Sequence, residues 1–412
     1  MKRKTSLLCA LLLVVISIGA FVFAFPASNP TVPGSAQTAK PTDTAQSEEQ
    51  TDQQTPDTPE EQTDTASSDA APLGSHPMDG VLQNMTLEQK VAQMFWVRCP
   101  DTGAVELVQQ YSPAGYVLFA RDFEDKTRDE VAQTVQSYQD AAALPLLIGT
   151  DEEGGTVVRA SRFKTLRSWP FESPQEVYAA GGMEGVESDA VEKDQFLRAL
   201  GINVNLAPVA DVCTDASDFM YARAFGKNAA DTSDYVGVVV RTMKQDGMGS
   251  VLKHFPGYGP NGDTHTALVT DTRPASTFRE SDFLPFQSGI RQGADAILVS
   301  HNVVEAFDAN NPASLSPTMH QILRDELGFD GVIVTDDLSM EAITQIADSG
   351  QAAVKAVQAG NDLLLSTDFV TQYQAVLDAV NDGTIDEGTI NDAVRRVLQW
   401  KSDLGLLEES QE

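Results

Sequence analysis

Between Leu73 and Leu407, short apolar runs alternate with stretches of helical periodicity. The apolar runs are Met94–Val97, Gly115–Ala120, Leu144–Thr150, Ile202–Leu206, Gly249–Leu252, Ala296–Ser300, Gly331–Thr335 and Leu363–Ser366. Most are continuously apolar and do not alternate with polar residues, which is the pattern of strands buried on both faces of a parallel sheet. Strand followed by helix, eight times over, predicts an α/β chain folded as a (β/α)₈ TIM-type barrel. A doubly wound open sheet is the alternative. Thr86-Leu87-Glu88-Gln89 reads as a capping box opening a helix. The last periodic stretch, Asp386 to Leu404, is amphipathic through Ile390, Val394, Val397, Leu398 and Leu404, and is expected to close the barrel from outside. Polar residues gather just past the strands. Asp151 follows the third, Asn205, Pro208 and Asp211 the fourth, and Lys253 and His254 the fifth. His301 follows the sixth, Asp336 and Asp337 the seventh, and Asp368 the eighth. Barrel enzymes keep their chemistry at that rim.

The remainder of the chain is of a different kind. Met1–Lys4 is basic and Ser6–Phe25 is an almost unbroken apolar run, so residues 1–27 are expected to serve either as a cleaved export signal or as a membrane anchor through residues 6–25. Residues 28–72 are Thr, Pro, Gln, Ser and acidic residues, which cannot bury an apolar face, and predict a disordered linker. That leaves 73–412 as the folded domain. A formal net charge of -32 argues against nucleic acid or an anionic membrane surface as the ligand. Three cysteines, with Cys9 inside the apolar run, make no disulfide framework, and Cys99 and Cys213 are expected as buried free thiols. No zinc-ligand spacing, dinucleotide fingerprint or P-loop occurs, so neither a metal nor a cofactor is expected.

The chemistry concentrates in Lys253-His254-Phe255-Pro256-Gly257-Tyr258-Gly259, followed by Asp263-Thr264-His265. Residues two apart in an extended segment point the same way, so the Asp263 carboxylate can orient the His265 imidazole as a general acid/base. Four further motifs stand in order. They are Leu146–Gly155 with Val158-Arg159, Asn205–Val212, Arg223-Ala224-Phe225-Gly226, and Gly328–Met340. Together the five resemble glycoside hydrolase family 3, in its β-N-acetylglucosaminidase branch, over Met85 to Leu404. The resemblance implies a retaining double displacement. Asp336 would be the nucleophile that forms a glycosyl-enzyme. His265 would protonate the leaving oxygen and later deprotonate water, with Asp263 holding its tautomer. Asp151, Arg159, Arg223, Lys253 and His254 would line the pocket for the terminal sugar. Lys253 and His254 are neighbours, so both reach one pocket only if the strand end twists or bulges. Asp337 fits a helix N-cap after the strand. His301 is read as either a pocket residue or a group behind it, and the segment from Ser161 to Lys193 as a frame for the outer rim.

Two departures from the family pattern stand out. Tyr258 occupies the place of a second histidine, and the loop to the dyad is shorter. A neutral base would not repel phosphate, so phosphorolysis is compatible with the dyad. The expected protein is an exported, monomeric, exo-acting enzyme on the outer face of a bacterium, taking N-acetylglucosamine-containing saccharides. The competing readings are a family 3 β-glucosidase or β-xylosidase, whose acid/base usually lies on a further domain, and a silent wall-binding barrel.

Overall fold

The computed structural model describes residues 76–264 and 266–407. The expected signal or anchor and the whole of the expected linker lie outside the described residues. Eight parallel strands form one sheet: β1 Phe95–Arg98, β2 Gly115–Leu118, β3 Leu147–Thr150, β4 Val204–Asn205, β5 Gly249–Phe255, β6 Ala296–Val299, β7 Val332–Thr335 and β8 Leu364–Ser366. Each pairs with its neighbour in chain order. β8 also pairs with β1, Phe95 opposite Leu364. A parallel bridge between Val334 and Leu363 joins β7 to β8, so the sheet closes on itself as a barrel. All eight expected strands are present. The third starts at Leu147 rather than Leu144, because Pro145 interrupts the run, and the fifth runs on through Lys253 and His254 to Phe255.

Side-chain alternation fills the barrel. Trp96, Val117, Leu147, Val204, Leu206, Val251, Ala296, Leu298, Val332, Val334, Leu363 and Leu365 form one buried cluster inside it. Gly149 completes a layer by absence: a Cβ there would lie 2.2 Å from Cζ2 of Trp96. The Trp96 indole donates to the Leu147 carbonyl at 3.0 Å. The last helix, Glu387–Asp403, is capped by Asp386. It does more than close the barrel from outside. Val397 and Trp400 join the interior cluster, with the Trp400 ring edge-on to Trp96 at 5.9 Å. This helix is therefore the floor of the barrel. Beside it Lys401 is fully buried and donates to Oε1 of Gln93 at 2.7 Å. The Thr86–Gln89 capping box forms as expected, and Cys99 and Cys213 are buried and free. Among the described residues no helix is long and apolar enough to cross a membrane.

Candidate active site

Alternation that fills the barrel also builds the site. Two residues beyond the interior side chains stand Arg98 (after Trp96), Phe119 (Val117), Asp151 (Gly149), Lys253 (Val251), Asp336 (Val334) and Thr367 (Leu365). All six line one cavity of about 740 Å³ at the C-terminal rim. Arg159, Arg223, His254 and Asp263 line it as well. Of the eight expected site residues, seven therefore meet in one cavity, and His265 lies outside the described residues.

The wall is a chain of charge pairs. Lys253 Nζ donates to Asp151 Oδ1 at 2.6 Å and lies 2.7 Å from Glu153 Oε1. Arg223 grips Glu153 bidentately, Nε to Oε2 at 2.9 Å and Nη2 to Oε1 at 2.7 Å. Arg159 reaches Asp151 Oδ2 at 3.4 Å. Burial acts to raise the Asp151 carboxyl, but Lys253 and Arg159 outweigh it and hold it below the usual carboxylate range. Burial is overcome at Glu153 in the same way, by Lys253 and Arg223, and its carboxyl sits well below the ordinary value. Between these two acids Glu152 turns away from the cavity. It is buried, and accepts from the backbone amides of Arg159 and Ala160 at 3.0 and 2.9 Å. It thereby fixes the loop that carries Arg159.

His254 is oriented by its neighbours. Arg223 Nη2, which can only donate, lies 3.2 Å from Nε2 of His254, so Nε2 accepts. The ring proton then sits on Nδ1, which donates to Asp211 Oδ2 at 2.9 Å. Asp211 also accepts from the backbone amides of His254 (3.1 Å) and Tyr258 (2.8 Å). The pairing register of β5 against β6 shifts between Leu252 and Phe255, and the Lys253–His254 peptide is cis. The expected irregularity is present, and both side chains reach the cavity.

Asp336 leaves the end of β7 with its backbone amide donating to the Val299 carbonyl at 3.0 Å, and its Oδ1 accepts from the Asp337 amide at 2.8 Å. Asp337 is not the expected helix N-cap. Met340 occupies that position before the short helix Glu341–Thr344. Asp337 instead accepts from the Ser339 amide at 2.9 Å and from the Thr367 hydroxyl, and it borders the cavity. His301 is wholly buried behind this turn, with Nε2 3.0 Å from the Asp337 carbonyl. Tyr258 is buried, edge-on to His254, with its hydroxyl 2.5 Å from Oγ1 of Thr264. The histidine-to-tyrosine departure thus ties the dyad loop to the site wall. Residues 161–193 place no side chain on the cavity; the loop after Arg159 packs instead on the helix Pro174–Arg198, Phe171 against Phe196 and Arg167 against Glu192.

Glu153 and Asp211 were not among the expected site residues. Both sit inside the quoted motifs, and the signal was the unbalanced positive charge of Lys253 and Arg223 and the ring nitrogen of His254 left to be oriented. Arg98, Phe119 and Thr367 follow from strand alternation alone.

The fold and this rim define a barrel hydrolase. The chain matches the glycosyl hydrolase family 3 N-terminal domain over residues 86–400, and it belongs to that family. It is 31% identical to beta-hexosaminidase LpqI of Mycobacterium tuberculosis over 338 residues, covering 78% of this chain and 84% of the relative. It is 33% identical to a beta-hexosaminidase of Idiomarina loihiensis, covering 71% and 88%. A solved glycoside hydrolase family 3 beta-N-acetylglucosaminidase from Paenibacillus sp. str. FPU-7 superposes with a TM-score of 0.73 at 32% identity. This chain spans 64% of that protein, and the match takes in 80% of this chain.

Proposed function

We propose that this is an exo-acting retaining glycosidase, a β-N-acetylhexosaminidase that releases terminal β-linked N-acetylglucosamine from cell-wall-derived or chitin-type saccharides. The observation that carries this reading is the convergence of Asp336, Asp263, Asp151, Lys253 and Arg223 on one cavity, with Glu153 pairing Lys253 and Arg223 from behind, in a family whose relatives include beta-hexosaminidases. Val117, Leu206, Leu298 and Leu365 of the barrel interior close the cavity at depth, which suits the end of a chain better than its middle. Asp336 attacks the anomeric carbon and the glycosidic bond breaks as the covalent glycosyl-enzyme forms. His265, held by Asp263, gives its proton to the departing oxygen. It then takes one from the water that cleaves the intermediate. Asp151 accepts from sugar hydroxyls, while Arg159 and Arg223 donate to them and His254 adds a ring contact. The paired acids and bases already satisfy one another, so they hold their geometry before the sugar arrives. On this reading residues 1–27 act as a cleaved export signal or as a membrane anchor, residues 28–72 give the domain reach, and the enzyme works as a monomer on the outer face of a bacterium.

Release of nitrophenol from the β-N-acetylglucosaminide and the β-glucoside tests the reading. The full chain is expected to prefer the acetamido sugar strongly. Asp336→Ala is expected to lower kcat/KM by about 10⁴-fold or more, and His265→Ala to lower it by about 10²-fold or more. Turnover of neither substrate would sink this reading and leave a binding barrel.

A further inference from the structure

The loop that carries Asp263 and His265 leaves the barrel at Gly257 and comes back at Asp271, and both of its limbs are fixed to one buried ion pair. Asp271 is wholly buried, and its Oδ2 lies 2.8 Å from Nη2 of Arg273. Arg273 Nε also donates to both Asp271 oxygens, at 3.1 and 2.9 Å. Its Nη1 donates to Oδ1 of the buried Asp282 at 3.0 Å, and its Nη2 to the Gly257 carbonyl at 3.2 Å. Its Cζ lies 4.4 Å from the centroid of the Phe278 ring. Acids at its edges and a ring on its face leave the guanidinium one position. The outgoing limb runs directly over it: a Cβ at Gly259 would lie 2.4 Å from Cζ of Arg273. Asn261 Nδ2 then donates to Asp271 Oδ2 and to the Tyr258 carbonyl, at 2.7 Å each. The returning limb, Thr270–Asp271, pairs with Val303–Val304 just past β6. There the Val303 amide donates to the Val269 carbonyl at 2.8 Å, and the Glu305 amide to the Asp271 carbonyl at 3.0 Å. Asn261 thus ties one limb to an immobile carboxylate on the other, by a bond strengthened by the acceptor's charge. The span left to be ordered shrinks to the residues between Asn261 and Val269. Asp263 stands two residues beyond the tie and borders the cavity.

We propose that Asn261 is a positioning residue for proton transfer: its bond to Asp271 clamps the loop at its base and so keeps Asp263, and the imidazole that Asp263 orients, where the leaving oxygen is protonated. This rests on the glycosidase reading above. An amide suits the place because it can donate to Asp271 and adds no charge, whereas an acid would repel it. Removing the amide leaves the base of the loop standing, since Arg273 still joins Asp271, Asp282 and Gly257. What is lost is the register of the acid/base against the bond it serves, and small misplacements of that kind cost rate.

The test uses the full chain and two aryl β-N-acetylglucosaminides, one with a dinitrophenol leaving group that departs without a proton and one with plain phenol that needs it. In Asn261→Ala, kcat/KM for the phenyl substrate is expected to fall about tenfold or more, while that for the dinitrophenyl substrate stays within about twofold of wild type. On the dinitrophenyl substrate kcat and KM are expected to fall together, because the base that activates water acts after the first step. Asn261→Ser, which keeps a donor, is expected to recover part of the phenyl rate. Equal losses of kcat/KM on both substrates in the alanine and serine variants would overturn the proposal, since a merely structural role, or failure to fold, does not distinguish leaving groups. Wild-type kcat/KM on both substrates in Asn261→Ala would overturn it as well. Either result, with a working wild-type protein, removes only this inference, whereas a wild-type protein that cleaves neither substrate removes the glycosidase reading itself.

Discussion

Glu153 shows how much of the site one side chain organises. It is 4% exposed and faces two cations, Lys253 and Arg223. Through Arg223 it also sets the ring proton of His254. Glu153→Gln keeps the shape but leaves two buried positive charges with half their compensation. Breaking a buried pair in this way costs about 3–5 kcal/mol, so the variant is expected to lose that much in urea unfolding, with substrate binding weakened alongside. Unchanged unfolding would mean that Asp151 alone neutralises Lys253. The run of three acids was legible, but the partition within it was not. Asp151 borders the cavity, Glu153 is buried behind it against Lys253 and Arg223, and Glu152 turns to the loop that carries Arg159. The partners that decide this, Ser161 and Arg223, lie up to seventy residues further along the chain.

At the level of elements, the end of β5 and the loop behind it form the least regular and most informative part of the barrel. The ladder slips between Leu252 and Phe255, and Gly257 at φ 114° turns the chain so tightly that a Cβ would meet Asp282 Oδ1 at 2.5 Å. Tyr258 then anchors Thr264, the residue between Asp263 and His265. Tyr258→Phe removes that hydroxyl bond, worth about 1 kcal/mol, and frees the dyad loop from the wall. We expect kcat to fall several-fold with KM little changed, together with a broader acid limb in the pH–rate profile. A rise in KM alone would show that Tyr258 shapes the sugar pocket instead. The motif around Lys253 and His254 was legible in the sequence, and both residues border the cavity together with Asp263. The anchoring role of Tyr258 could not be read, because it depends on a hydroxyl meeting Thr264 across a turn.

Across the whole molecule, the barrel was legible from the eight apolar runs, since a parallel strand buried on two faces leaves a continuous apolar signature. The floor was not. The periodicity of residues 386–404 marks an amphipathic helix but does not say that Trp400 enters the interior. Lys401 belongs to this floor, where burial pushes its ammonium down to about 7 from an ordinary 10.5. A depressed lysine favours the fold above its unfolded value, and that contribution is lost as pH falls through the folded one. Lys401→Met is therefore expected to gain melting temperature relative to the wild-type protein as pH drops from 9 to 6, whatever constant offset the orphaned Gln93 oxygen adds. A difference between the two that does not vary with pH would show that Lys401 stays charged in the fold throughout this range. The floor also has a kinetic side. β1 finds its partner in β8, at nearly the other end of the folded domain, and the Trp96 ring waits for Trp400. Until the ribosome has delivered that last helix, the nascent sheet has two open edges and an uncovered apolar well. The late closure of the ring gives any escorting chaperone a long interval in which to hold the chain unfolded.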